Sequence, residues 1–322
     1  MTGDRGPEIV GIGEALVRLA PTGNEVLETA ATYAVHVGGA EGNVCANLAG
    51  LGVRTSWISR LPANPLGRRV AMAFQSSAVD TRGVLWAPRG RVGVMFIQPG
   101  AAPRAGEILY YRRDSAFSEI DPDEVAWPAL DGAAYVHLTG ITPALGEGPR
   151  RLVERAIAEG RRRRVRVSFD INYRATLWSP NAAREVLEPL LKRLDLVFLN
   201  ERDARGVFGA DGEPEEIARS LRDRFGCGTL VLTLSERGAL AHDGRGATRH
   251  PAHRTEVVDR VGRGDAFAAG FLYACLRGNA GAGLRYGNAL AALKQTYPGD
   301  VSHATLSDVE AVLGGRSGGF VR

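Results

Sequence analysis

Residues 134–172 read AYVHLTGITPALGEGPRRLVERAIAEGRRRRVRVSFDIN. Two short apolar runs, at 134–141 and 165–172, flank the helical stretch PRRLVERAIAEG at 149–160. Strand, helix, strand is the repeating unit of a parallel sheet covered on both faces. Arg161 to Arg164 close the helix at the end where the backbone dipole favours cations. They read as a solvated helix end, because a nucleic-acid stripe would interleave basic residues with aromatics.

The same alternation extends in both directions. Toward the N-terminus, EIVGIGEALVRL (8–19) opens as a strand, GNVCANLAGLG (42–52) reads as a helix and VRTSWISRL (53–61) as a strand. The helix PLGRRVAMAFQSSAV (65–79) follows, with proline at its start. Toward the C-terminus come a helix from Ser179-Pro180, the strand LVFLN (196–200), the helix EPEEIARSLRDRFG (213–226) and the strand TLVLTL (229–234). Helices are expected near 265–278, 282–296 and 307–314, the last opened by a capping box of Ser307 and Glu310. The fold class is therefore α/β, a three-layer α/β/α core with a mostly parallel sheet. Its crossovers should be right-handed, and ligands should lie beyond the carboxyl ends of the strands.

Two regions break the alternation. ATYAVHVGG (31–39) and RVGVMFIQPGAAPRAGEILYYRRDSAF (91–117) are extended pieces with no helix between them, the second folded at a Pro/Gly turn. They predict a small β-sheet lid over the mouth of the core. The expected division is a core of 1–14, 38–89 and 118–322 and a lid of 15–37 and 90–117. The tail GGRSGGFVR (314–322) is expected to be mobile.

With 322 residues, 44% of them hydrophobic, the chain can bury one large core or two modest ones. No window approaches eighteen consecutive apolar residues, and the start has no basic-then-apolar export pattern. A cytoplasmic protein without membrane or nucleic-acid partners is the expectation. Cys45, Cys227 and Cys275 have no close pairing and read as reduced, buried thiols. The net charge of +4 rests almost wholly on arginine, since Lys192 and Lys294 are the only lysines. Neither stands in a phosphate-loop motif.

Gly262-Arg263-Gly264-Asp265 carries the densest chemical signal. A glycine turn entering a helix points free N–H groups outward, toward an anion. A carboxylate beside a bound phosphate makes sense if Asp265 takes a proton from an attacking hydroxyl; the local pattern by itself more often marks a helix cap. Asp170-x-Asn172-x-Arg174 lies at a strand end, where Arg174 can fork onto a carboxylate or phosphate or pair with Asp170. Tyr110 and Arg112 share one face of a lid strand. Gly39 and Asn43 sit in the loop before a helix, where glycine permits close approach and the amide can meet a sugar hydroxyl. Asn200 and Asp203 offer oxygens suited to hydrated Mg²⁺, or an ordinary helix cap. His250 and His253 lack a third ligand, and Pro251 keeps them off one helical face, so a metal pair is not expected.

Together VGGAEGNVCANLAGLG, ILYYRRDSAFSEI, VHLTGITPAL, VSFDINYRATLWSP, DRVGRGDAFAAGF and ALKQTYPGDVS resemble the ribokinase-like (PfkB) carbohydrate kinases over almost the whole chain, with the nearest likeness to 2-keto-3-deoxygluconate kinases. The resemblance implies a ribokinase-like fold and transfer of phosphate from ATP to the terminal hydroxyl of a sugar acid. It implies Asp265 as base, with Gly262, Arg263 and Gly264 as an anion hole. Asn200 and Asp203 would face Mg²⁺ and phosphates. Tyr110, Arg112 and Arg174 would hold the keto acid, with Gly39 and Asn43 on the sugar. Ser235, Arg237, Gly238 and Asn288 would lie near adenine. A homo-oligomer, at least a dimer, is also implied. This sequence departs from the pattern at Arg263, Asp203, Ser235 and Met95. Arg18 stands where many neutral-sugar kinases carry an aspartate, which reads as a mark of an anionic substrate. The alternatives are another sugar, such as fructose or 2-keto-3-deoxygalactonate, and a sugar-acid sensor without turnover.

Overall fold

The computed structural model describes residues 6–23, 25–100 and 103–315. The N-terminal half contains β1 (Ile9–Ile12), β2 (Leu16–Pro21), β3 (Tyr33–Gly38), α1 (Ala40–Gly50), β4 (Thr55–Pro62), α2 (Pro65–Ser76), β5 (Val84–Ala87), β6 (Gly93–Gln98) and β7 (Glu107–Tyr111). Then follow β8 (Tyr135–Thr139), α3 (Glu147–Arg163), β9 (Arg166–Asp170), α4 (Pro180–Leu190), β10 (Leu196–Asn200), α5 (Glu201–Phe208), α6 (Pro214–Phe225) and β11 (Thr229–Thr233). β12 (Ala239–His242), β13 (Ala247–His250), α7 (Arg263–Leu276), α8 (Gly283–Gln295) and α9 (Leu306–Leu313) complete the described chain.

The large sheet runs β13-β12-β11-β10-β9-β8-β1-β4-β5 and is parallel from β11 to β5, with β12 and β13 antiparallel at one edge. The order reverses beside β1: the chain moves outward to β4 and β5, then returns on the other side with β8. Such a reversal opens a crevice at the carboxyl ends of the strands. Strand alternation sends Val10, Val136, Val167, Val197 and Leu230 into one buried cluster with α3, α4 and α6. Ile9, Tyr135, Leu196, Phe198 and Val231 enter a second cluster with α1, α7 and α8. These two faces make the α/β/α layering expected from period-two apolar strands between helices.

The second sheet, β3-β2-β6-β7, has four strands. The run 8–19, which opens as a strand, holds two strands, β1 and β2, in different sheets. The chain turns at Gly13-Glu14-Ala15, where the buried Glu14 carboxylate takes hydrogen bonds from Arg112 and Ser115. A charged group with such partners marks the end of a sheet better than its interior. The capping box of α9 is also shifted. Thr305, not Ser307, caps the helix, and Asp308, not Glu310, returns the bond to the Thr305 N–H at 2.7 Å. Of the tail read as mobile, 316–322 lie outside the described residues.

Arg161 to Arg163 end α3 as expected, with Arg162 and Arg163 on Glu159 and Arg161 on the Lys192 carbonyl. Cys45 and Cys227 are buried free thiols, whereas Cys275 is half-buried. Among the described residues no helix is long and apolar enough to cross a membrane.

Candidate active site

A cavity of about 400 Å³ lies at the strand ends, between the two sheets. Its walls include Asp170 from the end of β9, Asn200 from the end of β10, Glu14 after β1, and Met95, Tyr110 and Arg112 from the small sheet. A second cavity of about 180 Å³ adjoins it, sharing Asn200, Thr233, Arg263, Gly264 and Phe267. The glycine turn before α7 therefore stands between two spaces.

That turn requires its first glycine. Gly262 has φ of 78°, and a Cβ there would stand 1.9 Å from the Asp300 carbonyl oxygen. Arg263, Gly264 and Asp265 are the first three residues of α7, so the N–H groups of Gly264 and Asp265 have no intrahelical acceptor. They meet the positive end of a 14-residue helix, an arrangement suited to an anion. Arg260 and Arg263 also line the larger cavity, and among the described residues neither guanidinium makes a hydrogen bond or ion pair. The arginine that replaces a small residue in the turn thus adds positive charge where the two spaces meet.

Asp265 points into the larger cavity and accepts a 2.7 Å hydrogen bond from Asn43 Nδ2. Burial raises its pKa to about 6, while the Asn43 bond and the charge of Arg174 act in the opposite direction. Asn43 Oδ1 accepts from the Gly39 N–H at 3.2 Å, so the loop before α1 and the start of α7 are joined at the carboxylate. Asp170 is held protonated still higher, to about 8, by burial and by the neighbouring charges of Asp265 and Asp203. Pairs of carboxyls pushed apart in pKa are a mark of acid–base sites.

Arg174 lines the cavity and, among the described residues, makes no side-chain hydrogen bond or ion pair. Arg112 reaches the same space but is engaged with Glu14, at 2.8 Å from Nε. Met95 is paired in register with Tyr110, so both side chains project from the same face of the small sheet into the cavity. Gly39 lines it as well. Arg18 does not. It is 4% exposed and binds Asp300 at 2.9 Å and Asp259 at 2.7 Å, so it offers no charge to a substrate. The reading of Arg18 as a mark of an anionic substrate is corrected accordingly.

Asn200 caps α5 and lines both cavities. Asp203 lines neither. Its carboxylate is buried behind Asn200, accepting from Asn200 Nδ2 at 2.8 Å and the Tyr173 N–H at 3.2 Å. Asn200 thus caps the helix and also faces both cavities, and Asp203 is joined to the cavity wall through it. Among the described residues no group of three or more His, Cys, Asp or Glu side chains could hold a metal ion.

Ser235, Gly238 and Asn288 line the smaller cavity. Ser235 holds a left-handed φ of 57° where a glycine would be unstrained. Asn288 Nδ2 donates to the carbonyls of His250 and Pro251 at 3.1 and 3.2 Å, which shapes the cavity wall. Arg237 lies outside, on the surface, paired with Glu201. His253 lines this cavity while His250 ends β13, and their rings are 6.0 Å apart.

Sequence reasoning passed over four charged cavity residues: Glu14, Glu41, Arg260 and Asp300. Glu41 is buried between the hydroxyls of Thr139 and Thr142, both at 2.8 Å, and burial pushes its pKa to about 7. The available signal was an acidic residue inside an apolar run, in GIGEAL for Glu14 and GGAEGNVCANL for Glu41.

A glycine turn opening α7, a buried carboxylate beside it and a second sheet across the cavity fit the architecture of a sugar kinase. The family model for pfkB family carbohydrate kinases matches residues 7–305, and the chain belongs to this family. It is 38% identical to a 2-dehydro-3-deoxygalactonokinase of Haloferax volcanii over 98% of this chain and 99% of that one. It is 33% identical to a 2-dehydro-3-deoxygluconokinase of Thermoproteus tenax, over 84% of this chain and 82% of the relative. The crystal structure of a 2-dehydro-3-deoxygluconokinase from Thermotoga maritima superposes with a TM-score of 0.89 at 30% identity, covering 96% and 98% of the two chains.

Proposed function

We propose that this carbohydrate kinase transfers the γ-phosphoryl group of Mg-ATP to the terminal hydroxyl of a 2-keto-3-deoxy sugar acid. The observation that carries the reading is the shared cavity of Asp265 and the unpaired Arg174. One group takes a proton and the other binds a carboxylate, so the substrate needs a hydroxyl at one end and an anion at the other. The names of the relatives support the same class, and they differ in the sugar. The gluco and galacto acids differ at one stereocentre. We take 2-keto-3-deoxygluconate as the substrate, with the galacto acid as the second reading because the Haloferax relative is similar over nearly its full length.

In this mechanism the nucleotide occupies the smaller cavity, near Ser235, Gly238 and Asn288, and its γ-phosphate meets the N–H groups of the 262–265 turn. Arg260 and Arg263 offset the charge on the transferring group. Mg²⁺ bound with ATP would offset phosphate charge, with Asn200 as the residue that would face its water shell. The substrate hydroxyl oxygen attacks the γ-phosphorus, the bond to the ADP oxygen breaks, and the hydroxyl proton passes to Asp265. A base with a pKa of about 6 is ionised at neutral pH yet basic enough to accept the proton. Asp170, protonated at neutral pH, can donate a hydrogen bond to a substrate oxygen. Arg174 and Tyr110 hold the keto acid end. Closure of the small sheet as a lid would exclude water and strengthen each charge contact. That sheet ends in β3 and β7, whose exposed Val35, Leu109 and Tyr111 support pairing with a second copy of the chain.

ADP release with Mg-ATP, compared across 2-keto-3-deoxygluconate, 2-keto-3-deoxygalactonate and fructose, tests the reading. Selective turnover of a keto acid is expected. Turnover of fructose alone would keep Asp265 as base and remove the role of Arg174. Binding of a keto acid without any turnover would make the protein a sensor.

A further inference from the structure

Beneath the catalytic turn lies a buried charge network that the transfer step does not use. Lys294, on α8, is fully buried, and its Nζ donates to the backbone carbonyls of Asp259 at 3.1 Å and Tyr297 at 3.3 Å. The Asp259 carboxylate accepts from the N–H groups of Val261 and Gly299, each at 3.0 Å. Its Oδ2 also takes Arg18 Nη2 at 2.7 Å, while Arg18 Nη1 reaches Asp300 at 2.9 Å. The Asp300 carbonyl is the atom against which Gly262 is packed.

The location of these groups gives the network its meaning. Asp259 leads into the 262–265 turn, and Asp300 backs it. Lys294 ties the loop at Asp259 to the loop at Tyr297. Arg18 belongs to β2 of the small sheet, so one guanidinium joins that sheet to both sides of the turn. Arg18, Lys294 and Asp300 are buried and Asp259 is 12% exposed, and these two cations and two carboxylates sum to zero charge. Such pairs are weak contributors to stability compared with apolar packing, but they tolerate little displacement, because a half-paired buried charge is costly. A shift of the small sheet therefore has to be followed by the turn.

We propose that Arg18 and Lys294 are positioning residues that hold the catalytic turn, and that Arg18 makes the geometry of that turn depend on how the small sheet is seated. The proposal rests on the reading of this turn as the phosphoryl-transfer site. Arg18 thus serves the reaction from within the fold and touches no substrate.

The test compares Arg18→Met and Arg18→Lys with the unmodified chain by steady-state kinetics, thermal melting and hydrogen exchange of the backbone amides of 260–266. Arg18→Met is expected to lower kcat about tenfold or more while the KM for ATP and for the sugar acid changes less than about threefold. Exchange at 260–266 should quicken, and Arg18→Lys should recover part of both losses. A lower Tm with unchanged kcat and unchanged exchange at the turn would reduce the network to a structural one and overturn the proposal. A raised KM for the sugar acid with unchanged kcat would make Arg18 a substrate contact and overturn it as well. If Arg18→Met does not fold, Arg18→Lys decides alone: wild-type kcat and wild-type exchange would sink the idea. Hydrogen exchange needs no substrate, so a wrong kinase reading shows instead as absent turnover in the unmodified chain.

Discussion

Asn43 donates a hydrogen bond of 2.7 Å to Oδ2 of Asp265, joining the start of α1 to the start of α7 across 222 residues of sequence. A donor on a carboxylate favours its charged form, so this bond holds down a pKa that burial has raised. In Asn43→Ala the Asp265 pKa should rise above about 6. The rate falls where Asp265 is protonated, so the acid limb of the kcat/KM profile should move to higher pH, by about one unit. An unmoved limb would mean that another group sets it.

Asp265→Asn should lower kcat by about 10²–10⁴, the usual worth of a positioned general base, with the fold unchanged by circular dichroism. The amide is nearly the same size and can still accept one hydrogen bond from Asn43. ADP release measures the loss. Near-normal turnover would remove Asp265 from proton transfer.

Arg174→Ala should raise the KM for a keto acid by about tenfold or more, equivalent to about 1.4 kcal/mol, and leave the KM for ATP almost unchanged. Arg112→Ala should cost stability as well as affinity, because it leaves the buried Glu14 without its guanidinium. Equal effects on keto acid and ATP for Arg174→Ala would place that guanidinium on phosphate.

Stability should depend on pH through Asp170. Its folded pKa of about 8 lies above its ordinary value, so the folded state holds a proton that the unfolded chain has released. The sign follows: the contribution is fully present below about pH 4 and is lost as pH rises through about 8. Asp170→Asn removes that proton exchange. The fall in Tm between about pH 5 and pH 8.5 should be smaller in the variant than in the unmodified chain. An equal fall in both would assign the dependence to Glu41 and the other buried carboxyls.

Gly262→Ala and Gly264→Ala should separate folding from function. At Gly262 the added Cβ meets the Asp300 carbonyl at 1.9 Å in a left-handed backbone, so a loss of about 1–3 kcal/mol or more is expected. At Gly264 a Cβ meets nothing within 4 Å, so Tm should hold. Gly264 lines both cavities, however, and the methyl group should crowd the anion and lower kcat. A normal kcat in Gly264→Ala would put the phosphate elsewhere.

The parts of the fold that follow local rules were readable in the sequence. LVFLN became β10 at its predicted bounds, Ser179 caps α4, and the apolar runs around 134–172 form β8, α3 and β9. Apolar residues continue through 15–17, so the apolar pattern alone does not show the break between β1 and β2. Arg18 was misread for a related reason: a charge on a strand shows its own sign but not its partners.

Sequence alone determined the alternation, the turn that ends in Asp265 and the residue types able to move a proton or bind an anion, since these depend on backbone preference and side-chain chemistry close along the chain. Only the tertiary structure decided which charges remain available. Among the described residues Arg174 has no hydrogen-bond or ion-pair partner, Arg112 is held by Glu14, Arg18 is enclosed by Asp259 and Asp300, and Asp203 stands behind Asn200. The physical reason is that a charge is spent or free according to neighbours brought to within about 3 Å by folding, and those neighbours lie up to 282 residues away in sequence.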